Sequence, residues 1–159
     1  MNAPVNSSDW QATKRGGDAD SVSPARILVV DDSRFARRII TLLLENSQEF
    51  KVVGQAEDGE EGLKQVRDLH PDVITLDVDM PILDGLGMLQ RLRQESDVPV
   101  VFVTGLPGLA EDLAQWSAKL GIVEVVVKTF SDKPLDLSVF GDELACKVRA
   151  AIHRRTVVK

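Results

Sequence analysis

From Arg26 onward the chain alternates between two hydrophobic periods. Short apolar runs occupy Ile27–Val30, Val73–Leu76, Val98–Val103 with Pro99 near its start, and Ile122–Val127 with Glu124 inside it. Lys51–Ala56 is a weaker run of the same kind. Val- and Ile-rich runs of about four to eight residues suit strands covered on both faces. Between them apolar residues recur at helical spacing: Ala36, Ile39, Ile40 and Leu43; Leu63, Val66 and Leu69; Leu86, Leu89 and Leu92; Leu109, Leu113, Trp116 and Leu120; Leu144, Val148 and Ile152. Strand and helix alternate throughout, which predicts an α/β domain: a doubly wound five-stranded parallel sheet with five helices on its two faces.

The first 25 residues break this rhythm. Met1–Ala25 is rich in Asn, Ser, Gly, Asp and Pro and has no apolar run long enough to bury, so a flexible tail is expected there. Trp10 is its odd residue and reads as incidental rather than as a docking contact. Residues 26–155 are then the domain, and 156–159 a C-terminal tail or the start of a linker. With 159 residues, 43% hydrophobic and 28% charged, the chain has the makings of one globular domain. A formal charge of -6 argues against direct nucleic-acid binding, which relies on basic residues at phosphates. No apolar run reaches the roughly 20 residues of a membrane helix, and no signal peptide opens the chain, so a cytoplasmic location is expected. The single cysteine, Cys146, follows Leu144 and Ala145 in a helical pattern and is expected to be a structural thiol.

Candidate chemistry gathers where strands end. Asp31 and Asp32 follow the first run, Asp77 follows the third, Thr104 closes the fourth and Lys128 closes the fifth. Open parallel sheets bind ligands outside the carboxyl ends of their strands. If the first and third strands are neighbours, three carboxylates converge there. Each pair, about 4 Å apart, repels by about 4 kcal/mol at an effective dielectric near 20 unless a cation intervenes. Hard oxygen ligands at a wet loop edge suit Mg²⁺ and leave room for a phosphoryl group. Asp77, alone at its strand end, is the candidate nucleophile; Asp31 and Asp32 read as metal holders, with Thr104 and Lys128 placed to meet phosphoryl oxygens. Singly, each has an ordinary explanation: helix cap, strand-end turn, strand threonine, solvated lysine. Their joint order along strands one, three, four and five is what argues for a site.

The stretches Ile27–Ile40 ("ILVVDDSRFARRII"), Pro71–Leu89 ("PDVITLDVDMPILDGLGML"), Val98–Gly105 ("VPVVFVTG") and Val125–Lys128 ("VVVK") also resemble bacterial two-component receiver domains, from Arg26 to about Arg154. That resemblance implies a flavodoxin-like receiver fold with strand order 2-1-3-4-5. It implies that Asp77 is the phosphoacceptor, that Asp31 and Asp32 bind Mg²⁺ together with Asp77 and the Asp79 carbonyl, that Thr104 senses the phosphoryl group and that Lys128 pairs with it. The phosphodonor would be a histidine kinase, and the output a domain or partner protein. "TLDVDMPILDGL" and "LDLSVFGDELACKVRAAIHRR" look most like the receiver of chemotaxis-type protein-glutamate methylesterases. No Gly-x-Ser-x-Gly elbow is present, so the expectation is a stand-alone regulator or a piece of a longer protein.

Two positions depart from the family pattern. Thr129 stands where proline usually follows the lysine, so a trans Lys128–Thr129 bond and a loosely held Lys128 ammonium are expected. Val125 stands where an aromatic residue usually takes part in the switch, which shifts the expected signal route to Thr104 and a Gly105–Gly108 loop. His70 and His153 read as solvated residues. Arg149, Arg154 and Arg155 complement the dipole at the end of the last helix. Two other readings compete: a phosphorylation-independent interaction module with a relic acidic site, and a haloacid-dehalogenase-type phosphatase, which would want Asp-x-Asp after its first strand.

Overall fold

A computed structural model of the chain describes residues 22–120, 123–128 and 134–158. The strands are β1 (Ala25–Val30), β2 (Phe50–Ala56), β3 (Val73–Leu76), β4 (Val100–Thr104) and β5 (Val123–Val127). They alternate with α1 (Arg34–Glu45), α2 (Gly59–Leu69), α3 (Gly85–Glu95), α4 (Pro107–Leu120) and α5 (Pro134–Val158). All strand pairs are parallel, in the order β2-β1-β3-β4-β5.

Because side chains alternate along a strand, each apolar run feeds two cores. Leu28, Val30, Ile74, Leu76, Val100 and Phe102 pack with Leu63 and Val66 of α2, Met88, Leu89 and Leu92 of α3, and Leu113 of α4. Ile27, Val29, Val73, Val101, Val103 and Val126 pack with Ile40 and Leu44 of α1 and with Phe140, Leu144 and Val148 of α5. Burial on both faces is why these strands read as continuous apolar runs. Polar caps set the helix starts: Ser33, Asp58 and Asp84 accept from the backbone N–H three residues on, in α1, α2 and α3. The pairing of β1 with the edge strand β2 slips between Ile27 and Leu28, which face Val52 and Gly54, so Val53 has no counterpart.

Several expectations shift in detail. The buried face of α1 is Ala36, Ile40 and Leu44, while Ile39 and Leu43 are only half-buried. Pro107 opens α4, so the loop expected over Gly105–Gly108 shrinks to Gly105–Leu106; proline's fixed φ suits the first helical position. β1 begins at Ala25, and α5 runs on to Val158, past Arg155. Cys146 is exposed, on the solvent side of α5, contrary to its expected structural role. Leu144 and Val148 carry the buried face, and Cys146 falls between them on the turned-away side. The basic end of α5 does more than complement a dipole: Arg149 pairs with Glu49 (2.7 Å), Arg154 with the buried Glu124 (2.5 Å) and Arg155 with Asp97 (3.2 Å). Trp10, the Trp116 side chain and the Lys128–Thr129 bond lie outside the described residues.

Leu144 is fully buried and Leu42 is 58% exposed on α1. Urea denaturation should therefore show a loss of about 2–5 kcal/mol for Leu144→Ala and under about 0.5 kcal/mol from lost packing for Leu42→Ala.

Candidate functional site

The sheet order sets the site. Val30 of β1 is paired with Leu76 of β3, so the residues that follow, Asp31 and Asp77, leave the sheet side by side. The Asp77 N–H donates to the Val30 carbonyl (2.9 Å) and the Asp31 N–H to the Ala56 carbonyl (3.0 Å). On the other flank the Lys128 N–H donates to the Thr104 carbonyl (2.7 Å), which fixes the lysine just past β5. Asp31, Asp77 and Thr104 are buried, and Asp32 is exposed.

Carboxylate oxygens of Asp31, Asp32 and Asp77 lie within 4.8 Å of one another. The Lys128 ammonium sits between two of them, 2.7 Å from Asp31 Oδ2 and 3.5 Å from Asp77 Oδ2. Asp31 Oδ1 accepts from the Ser33 N–H (2.9 Å), and the buried Asp31 Oδ2 has the Lys128 ammonium as its partner. Asp77 is pushed from an ordinary 3.8 up to about 6, first by burial and then by the Asp31 charge, with Lys128 pulling the other way. A cavity of about 270 Å³ opens over the group, lined by Asp32, Asp77, Asp79, Thr104, Leu106 and Lys128 among others. Thr104 Oγ1 accepts from the Leu106 N–H (3.1 Å), which holds the hydroxyl at the wall.

Three converging carboxylates at the mouth of a cavity, an all-oxygen donor set, fit a small hard cation. A second acidic group, Glu57, Asp58 and Glu61, has a local explanation. Asp58 caps α2 through the Glu61 N–H (2.9 Å), and Glu61 Oε2 accepts from the Glu57 N–H (3.1 Å).

The structure adds two residues that sequence patterns did not single out. Arg37 Nη1 donates to the Asp31 carbonyl (2.7 Å), pinning the backbone between the two aspartates. Among Arg34, Arg37 and Arg38 only position on the helix marks it: Arg37 lies one turn beyond Ser33, on the side of the β1 end. Gly85 packs against the other strand end, and its N–H donates to the Val78 carbonyl (2.9 Å). A Cβ there would overlap the Asp77 carbonyl oxygen, so only glycine lets α3 start so close to the acid. Within the same loop Ile82 takes a left-handed backbone (φ 69°), rare for a β-branched residue. His70 caps the far end of α2 and His153 lies near the end of α5, both away from the acids. Val125 is half-buried against the cluster that holds Phe102 and Leu113.

Residues 27–139 match the family described as the response regulator receiver domain. The chain belongs to that family. This receiver is 43% identical over 128 residues to a protein-glutamate methylesterase/protein-glutamine glutaminase of Symbiobacterium thermophilum, covering 80% of this chain and 35% of the relative. It is 44% identical over 130 residues to a protein of the same description from Myxococcus xanthus, covering 82% and 37%. The aligned stretch thus spans little more than a third of those relatives' length. Among solved structures, the response regulator domain of Thermotoga maritima CheB superposes with a TM-score of 0.73 at 32% identity, over 82% of this receiver and 97% of that chain.

Three predictions rest on this geometry. Between 3.8 and about 6 the folded, metal-free receiver holds a proton on Asp77 that the unfolded chain has released. Its stability in chelator should therefore fall as pH rises through that window and level off above it. Asp77→Asn should remove the penalty at pH 7, raising stability by about 1–2 kcal/mol once solvent screening at the cavity mouth is allowed for, and should flatten the pH dependence. Gly85→Ala should displace the Asp77 backbone and lower stability by about 1–3 kcal/mol in thermal melts.

Proposed function

We propose that this receiver is a phosphorylation switch in which Asp77 accepts a phosphoryl group from a phosphohistidine of a histidine kinase. The observation that carries this reading is the convergence of Asp32, Asp77 and Lys128 on one open cavity, with the buried Asp31 carboxylate beside them. Asp31, Asp32 and Asp77, with the Asp79 carbonyl, would hold Mg²⁺, which when bound supplies charge neutralisation for phosphoryl oxygens. Asp77 Oδ attacks phosphorus in line, the bond to the donor nitrogen breaks, and an acyl phosphate forms on Asp77. Lys128 swings from Asp31 toward the new phosphoryl oxygens, and the Thr104 hydroxyl donates a hydrogen bond to one of them. With Val125 in place of a ring, the change in Thr104 passes to Gly105–Leu106 and the start of α4.

The switch is the expected span 26–155, widened by Ala25 of β1 and by the α5 residues to Val158; residues 1–24 precede it in the sequence. The output is regulation of a partner or attached domain. Likeness to methylesterase relatives makes a chemotaxis methylesterase the output class in this reading. No helix among the described residues is long and apolar enough to cross a membrane, and a cytoplasmic site of action goes with this reading.

Incubation with Mg²⁺ and acetyl phosphate, followed by mass spectrometry after borohydride trapping, tests the reading. Labelling should fall on Asp77, need Mg²⁺, and vanish in Asp77→Asn. Undiminished labelling in that variant, or none in the parent, would leave an interaction module with a relic site.

A further inference from the structure

The acids at the strand ends are not held alike. Asp31 is buried, its Oδ1 accepts from the Ser33 N–H (2.9 Å), and its Oδ2 lies 2.7 Å from the Lys128 ammonium. Asp77 is buried too, with the same ammonium 3.5 Å from its Oδ2. Asp32 is exposed and lines the cavity over the site, and its side chain makes no hydrogen bond or ion pair among the described residues. A carboxylate without a tether of its own is placed by its backbone alone.

That backbone is set by the peptide joining Asp31 to Asp32. The Asp31 N–H is fixed to the Ala56 carbonyl (3.0 Å), and the Asp31 carbonyl accepts from Arg37 Nη1 (2.7 Å). Because the peptide is planar, holding its oxygen fixes the ψ of Asp31 and the φ of Asp32 together. The direction in which the Asp32 carboxylate leaves the chain is fixed with them. Long side chains on a helix point back toward its N-terminus, and Arg37 stands one turn into α1, its N–H on the Ser33 carbonyl (3.0 Å). Arg37 is half-buried, whereas Arg34 and Arg38 on the same helix are exposed. It also lines a polar cavity of about 270 Å³ with Gln55, Glu57 and Glu61, whose two carboxylates put opposite charge beside a guanidinium that stays protonated.

We propose that Arg37 is a positioning residue for cation binding, which aims the Asp32 carboxylate into the site by holding the Asp31–Asp32 peptide. The proposal rests on the phosphorylation-switch reading above. It makes Arg37 govern how tightly Mg²⁺ is held, more than the phosphoryl step once the metal is in place. The flat guanidinium fork holds a direction that a lysine ammonium on its flexible stem does not.

NMR titration of the backbone amides with Mg²⁺ alone gives the dissociation constants that test this. Arg37→Met keeps most of the stem and loses the donor, and should raise the constant about tenfold, as loss of a group that orients a metal ligand does. Arg37→Lys should raise it less, and Arg38→Met should leave it unchanged. In an Asp32→Asn background Arg37→Met should add little, because the charge it aims is gone. The Mg²⁺ concentration for half-maximal labelling by acetyl phosphate should rise by the same factor in Arg37→Met, with the plateau rate reduced much less. A loss of general packing would lower the plateau instead. If Arg37→Met does not fold, Arg37→Lys carries the same comparisons. A parent that binds Mg²⁺ and is weakened by Asp32→Asn but not by Arg37→Met leaves the switch reading standing and overturns this proposal. A full additional loss in the Asp32→Asn background overturns it as well. A parent that binds no Mg²⁺ overturns the switch reading, and the proposal with it.

Discussion

Like charges crowded at one sheet edge are the constraint on which the rest of this structure turns. β1 and β3 are hydrogen-bonded neighbours, so Asp31 and Asp77 emerge together, and Asp32 adds a third carboxylate. Repulsion at these separations is worth several times thermal energy when partly shielded from water. Lys128 is the counterweight, and it arrives from β5 two strands away. Its placement depends on β4 and β5 being paired through to Thr104 and Val127, and on the Lys128 N–H reaching the Thr104 carbonyl. The hydrophobic order of the whole sheet is thus what brings one ammonium to the acids.

The loops follow from the same demand. A carboxylate at a strand end is useful only if the backbone beneath it cannot wander. Arg37 ties the Asp31 carbonyl, Ser33 closes a turn onto Asp31 and caps α1, and Gly85 lets α3 begin in contact with the Asp77 backbone. Gly59 binds the α2 start to the same loop through the Leu83 carbonyl (3.0 Å). The acids are therefore held by main-chain contacts from three directions, and the side chains facing the cavity are left free for chemistry.

Much of this was legible in the residues, for identifiable reasons. Strands buried on both faces leave continuous Val/Ile runs, and helices with one buried stripe leave spaced leucines, so the alternation survives in the sequence. Asp31, Asp32, Asp77, Thr104 and Lys128 were visible because each directly follows or ends such a run. What stayed hidden depends on angles that spacing does not encode. Ile39 and Ile40 are adjacent and equally apolar, and only the set of the helix on the sheet decides that Ile40 and Leu44 go inward. Lys128 lies nearer Asp31 than Asp77, a choice between two acids set by fractions of an ångström. Cys146 looked like core because its neighbours Leu144 and Ala145 do, yet one position on a helix is a rotation of about 100°. Glu124 broke an apolar run, and only the fold shows Lys147 and Arg154 reaching it from α5.

The slipped register beside Val53 has a bearing on how copies of this domain behave together. β2 is a border of the sheet, and a border strand with an even ladder is a template on which a stray strand from another molecule can zip up. At Val53 the ladder skips a residue, with Gly54 next to it packed against Leu69 and Leu28. An incoming strand would lose its rhythm halfway along. The irregularity that looks like a flaw in pairing thus helps keep crowded copies from knitting into a common sheet.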